Sequence, residues 1–278
     1  MTEHGTESME TQLSRIPEIS LLANEQYKGD PNFMTSLARG LEVLQTFRPE
    51  YSALTVAQIS KMTHLHRAVV RRCLYTLAAL GFVYSADNRY YHLLPRVLTI
   101  GHAYLHSSGL ARQAQTALDY LSRQINQSCS VATLDGDSIL YIARASVSRI
   151  MKIDLGRGSR LPAYATSMGL VLLSELSEAE LEAYLNRVTL TAYTPHTLTD
   201  KDELRALLKK VKAQGYAIND QQLEIGLRSM AVPMYSRKGK VLAAMNVGTH
   251  ASQVSAAELK ECFLPKLQRA AMELALLL

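Results

Sequence analysis

Residues 64–83 read HLHRAVVRRCLYTLAALGFV. Three arginines, Arg67, Arg71 and Arg72, crowd the front half, and the back half is apolar. Helical residues advance by about 100° each. With His66 as zero, Val69, Val70, Cys73, Leu74, Leu77 and Leu80 then fall within about 80° of one direction. Arg67, Ala68, Arg71, Arg72 and Tyr75 occupy the opposite side. The stretch predicts a helix with an apolar stripe for a core and a cationic outer face, closed by Gly81. Like charges crowded on one face repel each other. Such a helix suits a partner that supplies negative charge.

The flanking segments give this helix a setting. Upstream, SLARGLEVLQTF (36–47) places Leu37, Leu41, Leu44 and Phe47 on one helical face, with Val43 at its edge and Pro49 as a stop. LTVAQISKM (54–62) carries Thr55 and Gln58 at capping-box spacing, which predicts a helix of about two turns. A tight turn over Thr63–Leu65 leads into the opening stretch. Downstream, FVYSADNRYYHL (82–93) reads as a hairpin whose two aromatic-rich strands flank Ser85–Asn88, with Arg89 at the tip. Helix, short helix, turn, amphipathic helix and two-stranded wing make a winged helix-turn-helix over residues 33–94.

Residues 95–108, opened by Pro95, form a mostly apolar helix, a stiff linker or a surface for a partner chain. Residues 109–278 interleave helices with antiparallel hairpins. A helix over 111–126 precedes a hairpin, 128–145, turning at Asp135–Asp137. IMKIDLG (150–156) reads as a further strand. Helical segments follow at 167–176, 177–187 and 200–215. A second hairpin joins 229–236 to 241–250 across Arg237–Lys240, and a helix closes the chain over 255–278. The fold class is α+β, with a second sheet of about five strands.

Bulk properties agree. A length of 278 residues suggests two domains, and 47% hydrophobic content supports real cores. Residues 1–32, with six acids against two bases, read as a mobile tail and not as a signal peptide. Residues 33–107 hold eight bases against three acids, so the basic density lies in one small segment, as a nucleic-acid footprint requires. No run approaches the roughly 20 apolar residues of a membrane helix. Cys73, Cys129 and Cys262 lie far apart without metal-ligand spacing, as expected of reduced thiols in the cytoplasm. No metal or cofactor is expected. The sequence has no G-x-S-x-G, Walker loop or paired Cys/His ligands, and GRGSR lacks the third glycine of a dinucleotide fingerprint. An enzyme acting on small carboxylates through the second domain is therefore the weaker reading.

The segments at 36–47, 54–62, 67–83 and 93–105 resemble, in order and spacing, the DNA-binding half of the IclR family of bacterial transcription regulators. GSRLPAYATSMGLVLL (158–173), GYAINDQQLEIGLRSMAVPM (215–234) and GKVLAAMNVGTH (239–250) resemble that family's GAF-like effector-binding half. GDPNFMTSLARGLEVLQTF (29–47) and RLPAYATSMG (160–169) are similar to the Pca/Pob-type subgroup controlling aromatic-acid catabolism. The resemblance implies a homodimer, or a tetramer, that binds a double-stranded DNA operator, works with RNA polymerase, and activates catabolic genes when a small aromatic or dicarboxylic acid binds. Protocatechuate is the expected effector, with β-ketoadipate or 4-hydroxybenzoate as alternatives.

Site residues follow. Arg67, Ala68, Arg71, Arg72 and Tyr75 would face a major groove, where a bidentate arginine discriminates bases by about 1–3 kcal/mol. His66 sits at the helix entrance as a phosphate contact or a plain turn residue. Thr55 opens the preceding helix, and Arg89 would touch the DNA backbone or minor groove. By family position, Ser167 and Met168 would offer main-chain donors at a helix start, which suits an anion. Asn219 and Ser229 match pocket-lining positions, Asn219 standing where some relatives carry an acid. Ile150, Ile153, Leu161 and Leu227 would form apolar walls. Asn246 interrupts an apolar strand and must find a partner, from the backbone or a ligand; Gly248 lies two residues on. Arg144, by strand parity with Leu140 and Ile142, or Arg160 would supply a cation for a carboxylate; each is otherwise a surface arginine.

Overall fold

The structure is a computed structural model and describes residues 27, 29–48, 51–147, 155–236 and 238–277. The expected tail, Pro49 and the strand expected over 150–156 fall outside these residues or largely so. The chain divides into two compact units, Met1–Leu105 and His106–Leu278.

In the first unit, α1 (Thr35–Gln45) is followed by β1 (Leu54–Thr55), α2 (Val56–Thr63), α3 (Arg67–Ala79), β2 (Val83–Tyr84) and β3 (Tyr90–Leu93). Val43, Phe47, Tyr51, Leu54, Ile59, Val70, Leu74 and Val83 form its core. The face of α1 differs from the expected one. Leu37 and Leu41 are exposed, while Ala38, Glu42 and Val43 are buried. The buried stripe is thus centred one residue on from the leucine ladder, and it takes in an acid. Thr55 and Gln58 form the expected capping box. His64 ends α2 in the left-handed region, φ 57°. Leu80, expected on the apolar stripe, is exposed because α3 has already ended at Ala79. Gly81, at φ 76°, makes the left-handed turn that follows.

The wing has three strands, not two. β3 pairs antiparallel with β2 and, on its other edge, with β1 through Leu54–Tyr91 and Thr55–Tyr90. β1 is two residues long and its second, Thr55, is already the cap of α2, too short a run to carry a strand pattern in the sequence. Pro95–Val97 form a 3-10 turn, and α4 (Leu98–Ser107) follows with no buried residue.

The second unit begins with α5 (Gly109–Ile125), capped by Ser108. Then come β4 (Ser128–Asp135), β5 (Ser138–Ala145), β6 (Arg160–Pro162), α6 (Ser167–Ser174), α7 (Glu178–Arg187), α8 (Lys201–Gln214), β7 (Ala217–Asp220), β8 (Leu227–Tyr235), β9 (Val241–His250) and α9 (Leu264–Leu276). Six strands make one antiparallel sheet in the order β6-β5-β4-β9-β8-β7, one more than expected. The short strands β6 and β7 are the unanticipated members. Four-residue and three-residue edges carry little periodicity. The closing helix is interrupted by a π turn, Leu259–Phe263, just before Pro265 enters the first turn of α9. Proline has no N–H to continue the preceding ladder.

Helices cover both faces of the sheet. Ala114, Leu118 and Leu121 of α5 and Leu267, Ala271 and Leu274 of α9 pack on Cys129, Val131, Ala143 and Met245. On the other face, α6, α7 and α8 pack over Ala132, Ile139, Tyr141, Ala231 and Ala244. All eight residues of α6 are buried. Its first turn passes so close to Ala163 that only glycine fits at 169: a Cβ there would lie 2.0 Å from the Ala163 carbonyl oxygen.

Candidate functional site

The first site is the outer face of α3. Val70 and Leu74 anchor the inner face, so Arg67, Arg71 and Tyr75 form one exposed row at i, i+4 spacing and Ala68 and Arg72 form the next. Tyr75 is 78% exposed. Among the described residues no carboxylate pairs with these three arginines. His66 is the N-cap, its Nδ1 accepting the Ala68 N–H at 3.4 Å. Thr55 likewise serves its helix, accepting the Gln58 N–H through Oγ1. In the wing, Asp87 Oδ1 accepts the N–H groups of Arg89 and Tyr90, each at 2.9 Å. Those donors, Tyr90 first, hold the Asp87 carboxyl below its usual range. Asn88 turns the chain at φ 55°, and the Arg89 guanidinium lies over the Tyr90 ring, 5.3 Å from its centre.

The second site is a cavity between the sheet and the start of α6. It is lined by Ser128, Tyr141, Arg144, Leu155, Leu161, Ala165, Thr166, Ser167, Met168, Asn219, Leu223, Leu227, Ser229, Asn246 and Gly248, with about 40 Å³ open to the centres of water-sized molecules. One buried water needs about 10–15 Å³ by this measure. Strand register explains the floor. Arg144, Ser130 and Asn246 stand side by side across β5, β4 and β9; Ser128, Gly248, Ser229 and Asn219 form the next row across β4, β9, β8 and β7. The roof is the start of α6, where Thr166 caps the Gly169 N–H at 3.1 Å. Ser229 donates its hydroxyl proton to Ser167 Oγ at 2.9 Å, tying floor to roof.

Arg144 reaches the cavity by a route that parity did not predict. Val131 pairs with Ala143, but Ala132 pairs with Tyr141, so Ile142 is the extra residue of a bulge. Arg144 therefore shares a face with Tyr141, not with Leu140 and Ile142. Its Nη1 donates to Ser130 Oγ at 3.1 Å and its Nε to Ser146 Oγ at 2.9 Å. Burial pushes the Tyr141 phenol up to about 12, against the opposing pull of Arg144. Arg160 is not brought to the cavity. It pairs with the Asp135 carboxylate and donates through Nη2 to the Asp135 carbonyl at 2.8 Å. Ile150 and Ile153 lie outside the described residues.

Two buried polar atoms at this cavity lack a partner among the described residues, Asn219 Nδ2 and Asn246 Oδ1. Sequence reasoning missed Ser128, Tyr141, Leu155, Ala165, Thr166 and Leu223. Tyr141 needed the bulge to be seen. Thr166 was visible as a cap, and the cap is what places it at the rim.

Residues 102–276 match the model described as Bacterial transcriptional regulator IclR C-terminal, and residues 36–87 match the IclR helix-turn-helix domain. The chain belongs to the IclR family of bacterial transcriptional regulators. Like its relatives in that family it is a regulator, with a DNA operator and a small-molecule effector as partners, and not an enzyme. The Pca regulon regulatory protein of Pseudomonas putida is 52% identical over 90% of this chain and 86% of its own length. The structure of a transcriptional regulator from Rhodococcus sp. RHA1 is 42% identical, with a TM-score of 0.73 over 88% of this chain and 98% of that one. A double mutant of the Acinetobacter PobR inducer-binding domain, in complex with 3-hydroxybenzoic acid, is 31% identical, with a TM-score of 0.56 over 60% of this chain and 98% of that one. No helix among the described residues is long and apolar enough to cross a membrane.

Proposed function

We propose that this IclR-family chain activates genes of aromatic-acid catabolism, and that its effector is protocatechuate bound in the cavity of the second unit. The observation that carries this is the cavity's chemistry. It pairs apolar walls, Leu161, Leu223 and Leu227, with the Arg144 guanidinium, the α6 start and an amide donor on Asn219 that has no partner among the described residues. An aromatic ring needs the walls, and a carboxylate needs the donors. The Pseudomonas putida relative, which regulates a Pca regulon by name, supports the same reading. β-Ketoadipate, without a ring, would use the donors but not the walls; 4-hydroxybenzoate would use both.

On this reading the sheet domain is GAF-like and the protein is cytoplasmic. The DNA-binding face is Arg67, Ala68, Arg71, Arg72 and Tyr75, with Arg89 on the wing against the DNA backbone or minor groove. Two chains pair through apolar surface that the single chain leaves exposed, Leu37 and Leu41 on α1 and Leu98, Ile100 and Tyr104 on α4. A tetramer would add contacts between sensor units, and RNA polymerase would meet the DNA-bound assembly. Two-fold symmetry sets half-sites about 34 Å apart or a multiple of it. The effector acts by binding two conformations unequally, since only differential affinity shifts an equilibrium.

Titration calorimetry of the full chain with protocatechuate, β-ketoadipate and 4-hydroxybenzoate tests the effector. Protocatechuate should bind most tightly. Silence from all three removes the aromatic-acid assignment and leaves the family membership intact.

A further inference from the structure

Gln115 of α5 uses all the hydrogen-bonding positions of its carboxamide. Oε1 accepts the Arg144 N–H at 3.3 Å and Arg157 Nη2 at 2.9 Å. Nε2 donates to the Arg144 carbonyl at 3.0 Å and to Asp119 Oδ1 at 2.8 Å. The side chain therefore brackets both backbone groups of Arg144, as a neighbouring strand residue would.

The reason lies in the sheet. β5 has β4 on one side, while β6 pairs only with Ser138, Ile139 and Leu140 on the other. Beyond the bulge, the outer edge of β5 has no strand partner among the described residues. Backbone groups there must still be satisfied. Gln115 does this from a helix whose inner residues, Ala114 and Leu118, are packed on the face of the sheet away from the cavity.

Arg144 thus connects the two faces. Its guanidinium lines the cavity, and its peptide is held by α5. α5 is the first helix of the sensor unit and follows α4 across the single residue Ser108. A shift of Arg144 toward a bound carboxylate moves the peptide that Gln115 grips, and Gln115 is rooted in that helix. A carboxamide is also directional: both bonds to the Arg144 peptide hold only while strand and helix keep one spacing.

We propose that Gln115 is the positioning residue that couples occupancy of the cavity to α5, and through the chain to the DNA-binding unit. This rests on the reading of the cavity as the effector site. Gln115 does not line the cavity, so its loss should separate binding from response.

The test uses the full-length protein and a duplex of its own upstream promoter. Protocatechuate affinity is read by calorimetry, and operator affinity by fluorescence anisotropy with and without saturating protocatechuate. Allosteric coupling of this kind commonly amounts to roughly 5–150-fold. Gln115→Met should bind protocatechuate within about threefold of the wild type, while the change in operator affinity falls below about twofold. Gln115→Glu keeps the acceptor for the Arg144 N–H, loses the donor to its carbonyl and faces Asp119 with like charge; it should show a graded loss. Asp119→Ala, which leaves both Arg144 bonds in place, should couple as the wild type does.

Undiminished coupling in Gln115→Met overturns the proposal and leaves the effector site standing. Loss of protocatechuate affinity in step with coupling, in both Gln115 variants, also overturns it, by giving Gln115 a merely structural role. A wild type that gives no heat with protocatechuate, β-ketoadipate or 4-hydroxybenzoate removes the cavity reading and this inference with it.

Discussion

Asn219 Oδ1 accepts the backbone N–H of Gln222 at 3.3 Å. That bond fixes which way the carboxamide faces and leaves Nδ2 buried at the cavity wall without a partner among the described residues. A donor placed so invites an anion. Asn219→Asp keeps the acceptor for Gln222 and exchanges the free donor for a carboxylate oxygen in a site only 1% exposed. Two like charges about 4 Å apart repel by roughly 4 kcal/mol at an effective dielectric of 20. Aromatic-acid affinity should therefore fall at least about tenfold at neutral pH, a loss of about 1.4 kcal/mol. The loss should shrink on acidification, as the new carboxyl takes up a proton. Calorimetry at two pH values checks both statements; equal affinity in wild type and variant would place the ligand's charge elsewhere.

The roof of the cavity is more demanding than its floor. Gly169 lies in the first turn of α6, where a Cβ would meet the Ala163 carbonyl oxygen at 2.0 Å and its Cα at 2.4 Å. Both are backbone atoms, so no side chain can swing aside. Gly169→Ala must push α6 off the Ala163 turn and loosen a helix whose every residue is buried. Overpacking of this kind costs about 1–3 kcal/mol or more. Urea unfolding of the full chain should show the unfolding free energy of the sensor unit lowered by that amount and its midpoint lowered in proportion, with effector affinity reduced because Ser167 and Met168 move with the helix.

Much of this architecture was legible beforehand, for identifiable physical reasons. The capping box at Thr55 and Gln58 and the glycine stop at 81 are local rules, and local rules survive folding. The leucines of α1 were misread because periodicity locates a stripe without saying which neighbour covers it. Leu37 and Leu41 stand out to solvent in the single chain, while Glu42 goes in. Cavity residues on regular strands, such as Asn246 and Ser229, could be named from the sequence and its resemblance to a family. Arg144 was named for the wrong reason, because one inserted residue at Ile142 reverses the parity of everything after it. β6 and β7 owe their existence to long-range pairing, which leaves no signal in three or four residues.

Glu42 carries a pH dependence that a surface acid would not. It is 2% exposed, and its Oε2 has no partner among the described residues. Burial raises its carboxyl above the usual range, outweighing the opposing charges of Arg39 on its own helix and His64 in the turn before α3. Cys73 of α3, its thiol also raised by burial, faces the same cluster, together with Arg72. A raised folded-state pKa means the folded form binds more protons than the unfolded form in the window between the two values. The protonated acid's contribution to stability is then fully present below the unfolded pKa, about 4.3. It is lost as pH rises through the folded value. Glu42→Gln should flatten this descent and stabilise residues 35–79 near neutrality. Hydrogen exchange of those segments in the full chain, across about pH 4.5–7.5, reads both; a wild-type curve rising with pH through that window would contradict the sign.

Arg71 lies at the centre of the cationic face, one turn from Arg67 and one turn from Tyr75. Replacing it with alanine removes charge from an exposed position and leaves the buried Val70 and Leu74 untouched, so the fold should persist. A phosphate contact and a base contact then give different signatures. Loss of one phosphate contact weakens binding to any duplex and lowers the slope of log affinity against log salt by about 0.9. Loss of a base contact weakens operator binding by about 1–3 kcal/mol and spares a scrambled duplex. Either way, operator affinity falls at least severalfold, and the heat of effector binding is unchanged. Intact operator binding with lost effector binding would contradict the assignment of DNA contact to this helix.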